Sequence, residues 1–220
     1  AAFAANRYGA VQLRRSALVG EGGGIEVDGQ GTGIMTESSW VNANRNPGWS
    51  RERVEQELKA MLGLRKIIWL PGIKGRDITD AHVDFYARFV RPGVVVANLD
   101  TDPASYDHAV TQQHLAILKA ATDADGRRLQ VHTLSPPLAP RDSRFSRNNP
   151  DFAAGYINYF VINGAVIAPE FGDPQADRAA LALLTALYPQ RKVMQLEIDA
   201  IAAGGGGIHC VTSQLPRHGR

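Results

Sequence analysis

Two stretches of the chain, PGVVVANLDTDP from Pro92 and NGAVIAPEFGDP from Asn163, repeat one plan. Gly93 aligns with Gly164, Asp102 with Asp173 and Pro103 with Pro174, each pair 71 residues apart. A strand-like run precedes each glycine, HVDFYARFV from His82 and YINYFVI from Tyr156, and a short β run follows it. Pro92-Gly93 and Asn163-Gly164 therefore read as hairpin turns. After each Asp-Pro comes a helical pattern. Asp102 and Asp173 are placed to cap, with proline in the first turn. Ala109, Val110, Leu115 and Leu118, and then Ala180, Leu183, Leu184 and Leu187, recur at helical spacing. A strand closes each unit, LQVHTL from Leu129 and KVMQLEI from Lys192.

An earlier unit follows the same order. GIEVDGQGTGIMT from Gly24 reads as a glycine-rich hairpin, and Ser50 caps the helix RERVEQELKAML. Val54, Leu58, Met61 and Leu62 form its apolar face, Glu55 and Lys59 an i,i+4 pair, and Gly63 suits its end. KIIWL from Lys66 closes the unit, and GGGIHCVT reads as the opening of a fourth. A repeat of strand, strand, helix and strand at this length points to a propeller-like ring. The competing architecture is an α/β sandwich whose repeat is accidental. The shared glycine and Asp-Pro positions favour the ring.

Composition removes several function classes. A net charge of +2 and no basic block argue against nucleic acid. Arg141, Arg144 and Arg147 lie in RDSRFSRNN, a pattern that suits a solvated loop. No apolar run is long enough to span a bilayer. One cysteine in 220 residues precludes an internal disulfide, and a reducing, cytoplasmic compartment is expected. The histidines show no zinc spacing, so no metal is expected. The glycines of GEGGGIEVDGQGTG neither follow an apolar strand nor open a helix, which weakens a dinucleotide reading. His108 and His114 read as surface or boundary residues, His132 as part of a closing strand and His218 as part of the tail. Trp40, Trp49 and Trp69 read as core or loop anchors.

The polar residues left over share a place in the repeat. Glu21, His82 with Asp84, and Cys210 each lie at or just before the first strand of a unit. Units around an axis bring such ends together, and Glu, His, Asp and Cys at one spot form a catalytic constellation. The plainer alternatives are a buried cysteine acting as a small hydrophobe and a structural His-Asp pair. His82 and Asp84, two apart on a strand, are expected to face one way. His209 is expected to face away from Cys210.

EGGGIEVDGQGT, NRNPGWS, WLPGIKGRDITDAHVDFYARF, VINGAVIAPEFGD and GGGGIHCVTSQ resemble the agmatine deiminase and bacterial-type peptidylarginine deiminase family, of the pentein superfamily. The likeness runs in order from about Gly20 to Pro216. It implies a five-bladed α/β propeller of ββαβ units around a pseudo-fivefold axis. Residues 1–220 would be the C-terminal part of a single deiminase domain, because the family carries a further third ahead of Glu-Gly-Gly that has no match in AAFAANRYGAVQL. With no initiating methionine, a fragment or a processed chain is expected. The resemblance implies Cys210 as nucleophile, His82 as general acid and base, and Glu21 as the carboxylate holding that histidine. It implies Asp84 as the carboxylate gripping the guanidinium. The glycine run, Gly207 included, would leave space and backbone for substrate. Where the family often has glycine before the histidine, this chain has Ala81. No cofactor is implied. The expected substrate is a small guanidino compound, agmatine above all. Peptidyl arginine is the close rival, and a non-catalytic remnant binding a guanidino ligand or a protein partner is a third possibility. A homo-oligomer is compatible with all three.

Overall fold

The computed structural model describes residues 14–214. The opening stretch, Pro216 and His218 lie outside them. Among the described residues, nine strands form three sheets of three, and each sheet has one plan. An antiparallel hairpin is followed by a helix and then by a strand running parallel to the hairpin's second arm. In the first unit β1 (Glu26–Val27) pairs with β2 (Thr32–Thr36), and β3 (Lys66–Leu70) returns beside β2. In the second, β4 (Ala87–Arg91), β5 (Val94–Asn98) and β6 (Gln130–Leu134) do the same. In the third, the strands are β7 (Phe160–Ile162), β8 (Ala165–Glu170) and β9 (Lys192–Glu197). The turns fall where glycine supplies positive φ, at Gly93 (78°) and Gly164 (81°).

The helices obey local chemistry. A short helix α1 (Glu37–Trp40) follows β2 directly. In α2 (Arg51–Leu62), Ser50 Oγ accepts the Arg53 N–H, Gly63 closes the helix at φ 69°, and Glu55 and Lys59 meet at 2.6 Å. Val54 and Leu58 face the core, while Leu62 is exposed. In α4 (Pro174–Leu187), Asp173 Oδ1 accepts from Gln175 and Ala176, with Pro174 at the first position. The repeat misleads in the second unit. Asp102 closes a local turn with Ala104 N, and α3 (His108–Ala120) begins later. Asp107 precedes α3 but gives its carboxylate to the Tyr86 hydroxyl. His114 is fully buried rather than at the surface. It stands edge-on to Tyr86 and accepts the Gly72 N–H, and burial pushes its pKa down to about 4.

Two strands begin later than their sequences suggest. Val83–Phe85, capped by His82, turns in a 3-10 helix before β4, and residues 156–159 precede β7. GGGIHCVT opens no strand among the described residues, and His209–Val211 is a 3-10 turn.

Each interface between units has its own apolar cluster. Ile68 and Leu70 of β3 pack with Val83, Ala87, Phe89, Val95 and Leu118. Val94, Val96 and Leu134 of the second sheet pack with Tyr156, Tyr159 and Val166 of the third unit. A polar link runs through the same space. Arg88 Nε donates to Glu26 Oε2 at 2.7 Å, its NH1 donates to the Tyr159 carbonyl at 2.7 Å, and its guanidinium lies over the Tyr159 ring. Glu26 Oε1 accepts the Phe89 N–H. Glu26 and Arg88 hold equivalent positions, facing Ile34 and Val96, which in turn pair with Ile68 and His132.

Both partners of this pair are buried, so losing one strands a charge. Arg88→Ala is expected to cost about 3–5 kcal/mol in denaturant unfolding. Glu26→Leu with Arg88→Met should cost much less than the summed single losses. Additive losses would show that the pair does not join the units.

Candidate active site

Unit 1 delivers Glu21 through a short glycine turn. Gly22–Gly24 is a single 3-10 turn, and Trp40 Nε1 donates to the Gly24 carbonyl at 2.9 Å. Gly20 packs directly on the Trp40 ring. Glu21 leaves this turn toward Arg45, whose Nε donates to both carboxylate oxygens at 3.0 and 2.8 Å. Arg45 also donates to Asp80 Oδ2 and to the Thr79 carbonyl. It ties Glu21 to the loop that carries His82.

That loop is wound tightly. Asp77 accepts from the Thr79 and Ala81 N–H groups, and Thr79 Oγ1 accepts the His82 N–H. Asp80 and Ala81 both take positive φ, 58° and 67°. Ala81 is also buried and gives its carbonyl to Thr36. A glycine would hold this conformation without strain. The winding turns His82 and Asp84 inward from a 3-10 turn, so they converge without the strand alternation expected for them.

Four groups meet there. His82 Nε2 lies 3.0 Å from Glu21 Oε2. His82 Nδ1 and Asp84 Oδ2 both lie within 2.8 Å of the point that a Gly23 side-chain carbon would occupy. Gly23 is thus the residue that lets unit 2 close on unit 1. Asp84 is fully buried; its Oδ2 accepts from His209 Nδ1 at 2.8 Å and lies 3.5 Å from Cys210 Sγ, while its Oδ1 has no partner. His209 therefore does not face away from the site. In a 3-10 turn, consecutive side chains are not set on opposite faces. The fully buried Asn158 donates from Nδ2 to Cys210 Sγ at 3.3 Å, and its Oδ1 accepts the His209 N–H at 2.8 Å.

Cys210 is exposed beside a cavity of about 940 Å³ lined also by Glu21, His82, His209, Gly204 and Gly206. Desolvation of the sulfur pushes its pKa up to about 11. The Asp84 charge adds to the rise, and the Gly207 N–H and the Asn158 amide oppose it. The resting group is a thiol at neutral pH. Gly207 does not line the cavity. It is buried against Asn158, where a side-chain carbon would lie 2.3 Å from Oδ1.

Glu21, His82, Asp84 and Cys210, conspicuous in the sequence by residue type and place in the repeat, all meet here. Arg45, Asn158 and Gly23 are not conspicuous there, although Arg45 lies in NRNPGWS and Gly23 in EGGG. Asn158 carried no signal, because only the fold brings YINY beside the cysteine. Among the described residues, no group of three or more His, Cys, Asp or Glu is arranged to hold a metal ion. Nor is any helix there long and apolar enough to cross a membrane. Arg141 and Arg147 are paired with carboxylates.

Comparison with known proteins gives consistent answers. The chain is 45% identical over 212 residues to a putative agmatine deiminase of Streptomyces coelicolor, covering 94% of this chain and 61% of that protein. It is 40% identical to the agmatine deiminase of Medicago truncatula, covering 90% and 57%. The structure of the agmatine deiminase of Enterococcus faecalis superposes with a TM-score of 0.91 at 33% identity, covering 99% of this chain and 62% of that one. The chain spans about three fifths of the length of these relatives. The family model for Porphyromonas-type peptidyl-arginine deiminase matches residues 1–216, and the chain belongs to that family.

Proposed function

We propose that the protein hydrolyses the C–N bond of a small guanidino compound, converting agmatine to N-carbamoylputrescine and ammonia. The observation that carries this is the single convergence of Cys210 Sγ, the free oxygen of buried Asp84, and His82 backed by Glu21. A guanidinium is a planar cation with N–H donors on every edge. Asp84 Oδ1 is a buried acceptor in need of such a donor, and filling it relieves an uncompensated group.

The chemistry follows from the charges. The guanidinium neutralises Asp84, which removes part of the penalty on the thiolate, and the Sγ proton passes to His82. The sulfur electron pair forms a bond to the guanidinium carbon, and one C–N π pair moves onto nitrogen. The resulting tetrahedral adduct is neutral. His82 then returns its proton to the departing nitrogen, and ammonia leaves, giving an amidino-cysteine cation. Neutral His82 takes a proton from water as its oxygen attacks that carbon. Expulsion of the thiolate and loss of one proton give the ureido product. Nε2 of His82 is engaged by Glu21, so Nδ1 is the nitrogen that carries the proton.

A second reading, deimination of a peptidyl arginine, is favoured by the matching family model, which is that of a Porphyromonas-type peptidyl-arginine deiminase. We also infer that the three units are consecutive blades of a pentein propeller whose remaining blades lie outside the described residues. The apolar Met194 and Leu196 of β9 are exposed, whereas Ile68 and Leu70 at the matching strand of unit 1 are covered by the next unit. A cytoplasmic setting accords with the lone cysteine.

Cys210→Ser is expected to abolish release of ammonia from agmatine, and acid quenching of the wild type should trap the amidino adduct by intact mass. Normal turnover in the serine variant would overturn the assignment. Asp84→Asn should have two opposite effects. Alkylation of the free thiol by iodoacetamide at about pH 8 should quicken, because the charge that raises the thiol pKa is gone. Agmatine binding should weaken by about 1.5–3 kcal/mol. No change in either would return Asp84 to a structural role. To separate the two substrates, kcat/KM is compared for agmatine and an arginine-containing peptide; a preference for the peptide selects the second reading.

A further inference from the structure

We propose that Asn158 is a catalytic residue, whose side-chain amide holds the Cys210 sulfur as an anion and fixes the turn on which it sits. The proposal rests on the reading of Cys210 as nucleophile. The amide's orientation is set independently of the sulfur. Oδ1 accepts the His209 N–H at 2.8 Å, nearer than the Asn158 carbonyl that shares it at 3.2 Å, and an N–H must meet an oxygen. The NH2 group is thereby turned toward Cys210 Sγ at 3.3 Å and the Asp84 carbonyl at 3.4 Å, with Oδ1 farther from the same sulfur at 3.6 Å. Asn158 is fully buried, and these are the acceptors it has there. A thiol sulfur is a poor acceptor and a thiolate a good one, so this bond strengthens as the sulfur ionises.

The amide also opposes a neighbour. Asp84 Oδ2 lies 3.5 Å from the same sulfur and disfavours its negative charge. The carboxylate needed to bind a cation thus suppresses the nucleophile, and the Asn158 dipole offsets it from the other side. Glycine at 207 serves this arrangement. A side-chain carbon there would lie 2.3 Å from Asn158 Oδ1 and 2.7 Å from its Cγ. Any other residue would drive the amide off the sulfur. A structural peg would need only the acceptor for His209 N–H.

Asn158→Asp separates the two roles, because it keeps that acceptor and replaces the donor with a second anionic oxygen. In the purified, folded protein, iodoacetamide alkylation of Cys210 at about pH 9 is expected to slow by about tenfold or more, and the thermal midpoint should fall because the new carboxylate oxygen is buried without a donor. Asn158→Ser, which retains a hydroxyl too short to span the gap, should slow it similarly and serves if the aspartate variant does not fold. Gly207→Ala should reproduce the slowing with Asn158 intact. With agmatine, kcat should fall more than KM changes. Alkylation at the wild-type rate in the folded Asn158 variants would overturn the proposal. The alkylation measurement needs no turnover. A wild-type protein inactive on both substrates would sink the deiminase reading and leave the effect of Asn158 on the thiol separately decided.

Discussion

The ion pair between Glu26 and Arg88 is the contact on which the geometry of the site depends. A buried ion pair is poor at adding net stability, because desolvating both charges consumes most of the attraction. Its value is in register. Arg88 is held by a carboxylate of unit 1 and a carbonyl of unit 3, while sitting in the first strand of unit 2. Glu26 also accepts the Phe89 N–H, so a sliding of β4 by one residue would break three buried bonds together. Apolar clusters at the two interfaces are non-directional and would tolerate small slips. The polar link is directional and does not. Glu21 lies five residues before Glu26 and Asp84 four before Arg88, on chains that this pair fixes against one another.

What the sequence revealed divides along the same line. Local features could be read. The glycine turns, the Ser50 and Asp173 caps, and strands such as Lys66–Leu70 depend on neighbours a few residues away. Repetition made the three units visible, because Gly93 and Gly164 must supply the same positive φ. Periodicity failed where side chains had been claimed by a distant partner. Asp107 stands at the helix start, but its carboxylate is taken by Tyr86, and His114 lies on a helix face covered by Tyr86 and the chain near Gly72. His209 turns toward Asp84 because a 3-10 turn forms where the sequence pattern predicts a strand.

The site itself was half legible. Cysteine, histidine and carboxylates announce chemistry by residue type, and motif likeness placed Cys210, His82, Glu21 and Asp84. The supporting groups are ordinary residues whose role is set wholly by tertiary contact. Arg45 reads as one more surface cation until it is seen spanning Glu21 and Asp80. Gly23 reads as part of a flexible loop until His82 and Asp84 are found against it. The run Gly204–Gly207 is not one feature. Gly204 and Gly206 line the cavity, Gly205 supplies a φ of 77°, and Gly207 makes room for an amide.

One site here holds a buried carboxylate and a cysteine sulfur within 3.5 Å. Free of ligand, the two charges are incompatible, and the sulfur keeps its proton. In the proposed reaction, a cationic guanidinium inserted beside Asp84 changes the balance at the moment when a nucleophile is wanted. Neutral molecules and anions offer no such compensation, so discrimination in the proposed reaction acts on ionisation as well as on fit. Arg45 and Glu21 extend the same logic to His82. The Glu21 carboxylate holds the His82 ring through Nε2, and Arg45 holds both oxygens of that carboxylate in place. Each anion in the site is therefore tethered by a partner that leaves it one task. Of the anions at this site, Asp84 alone retains an unpartnered buried oxygen, the acceptor that the proposed reaction assigns to the guanidinium.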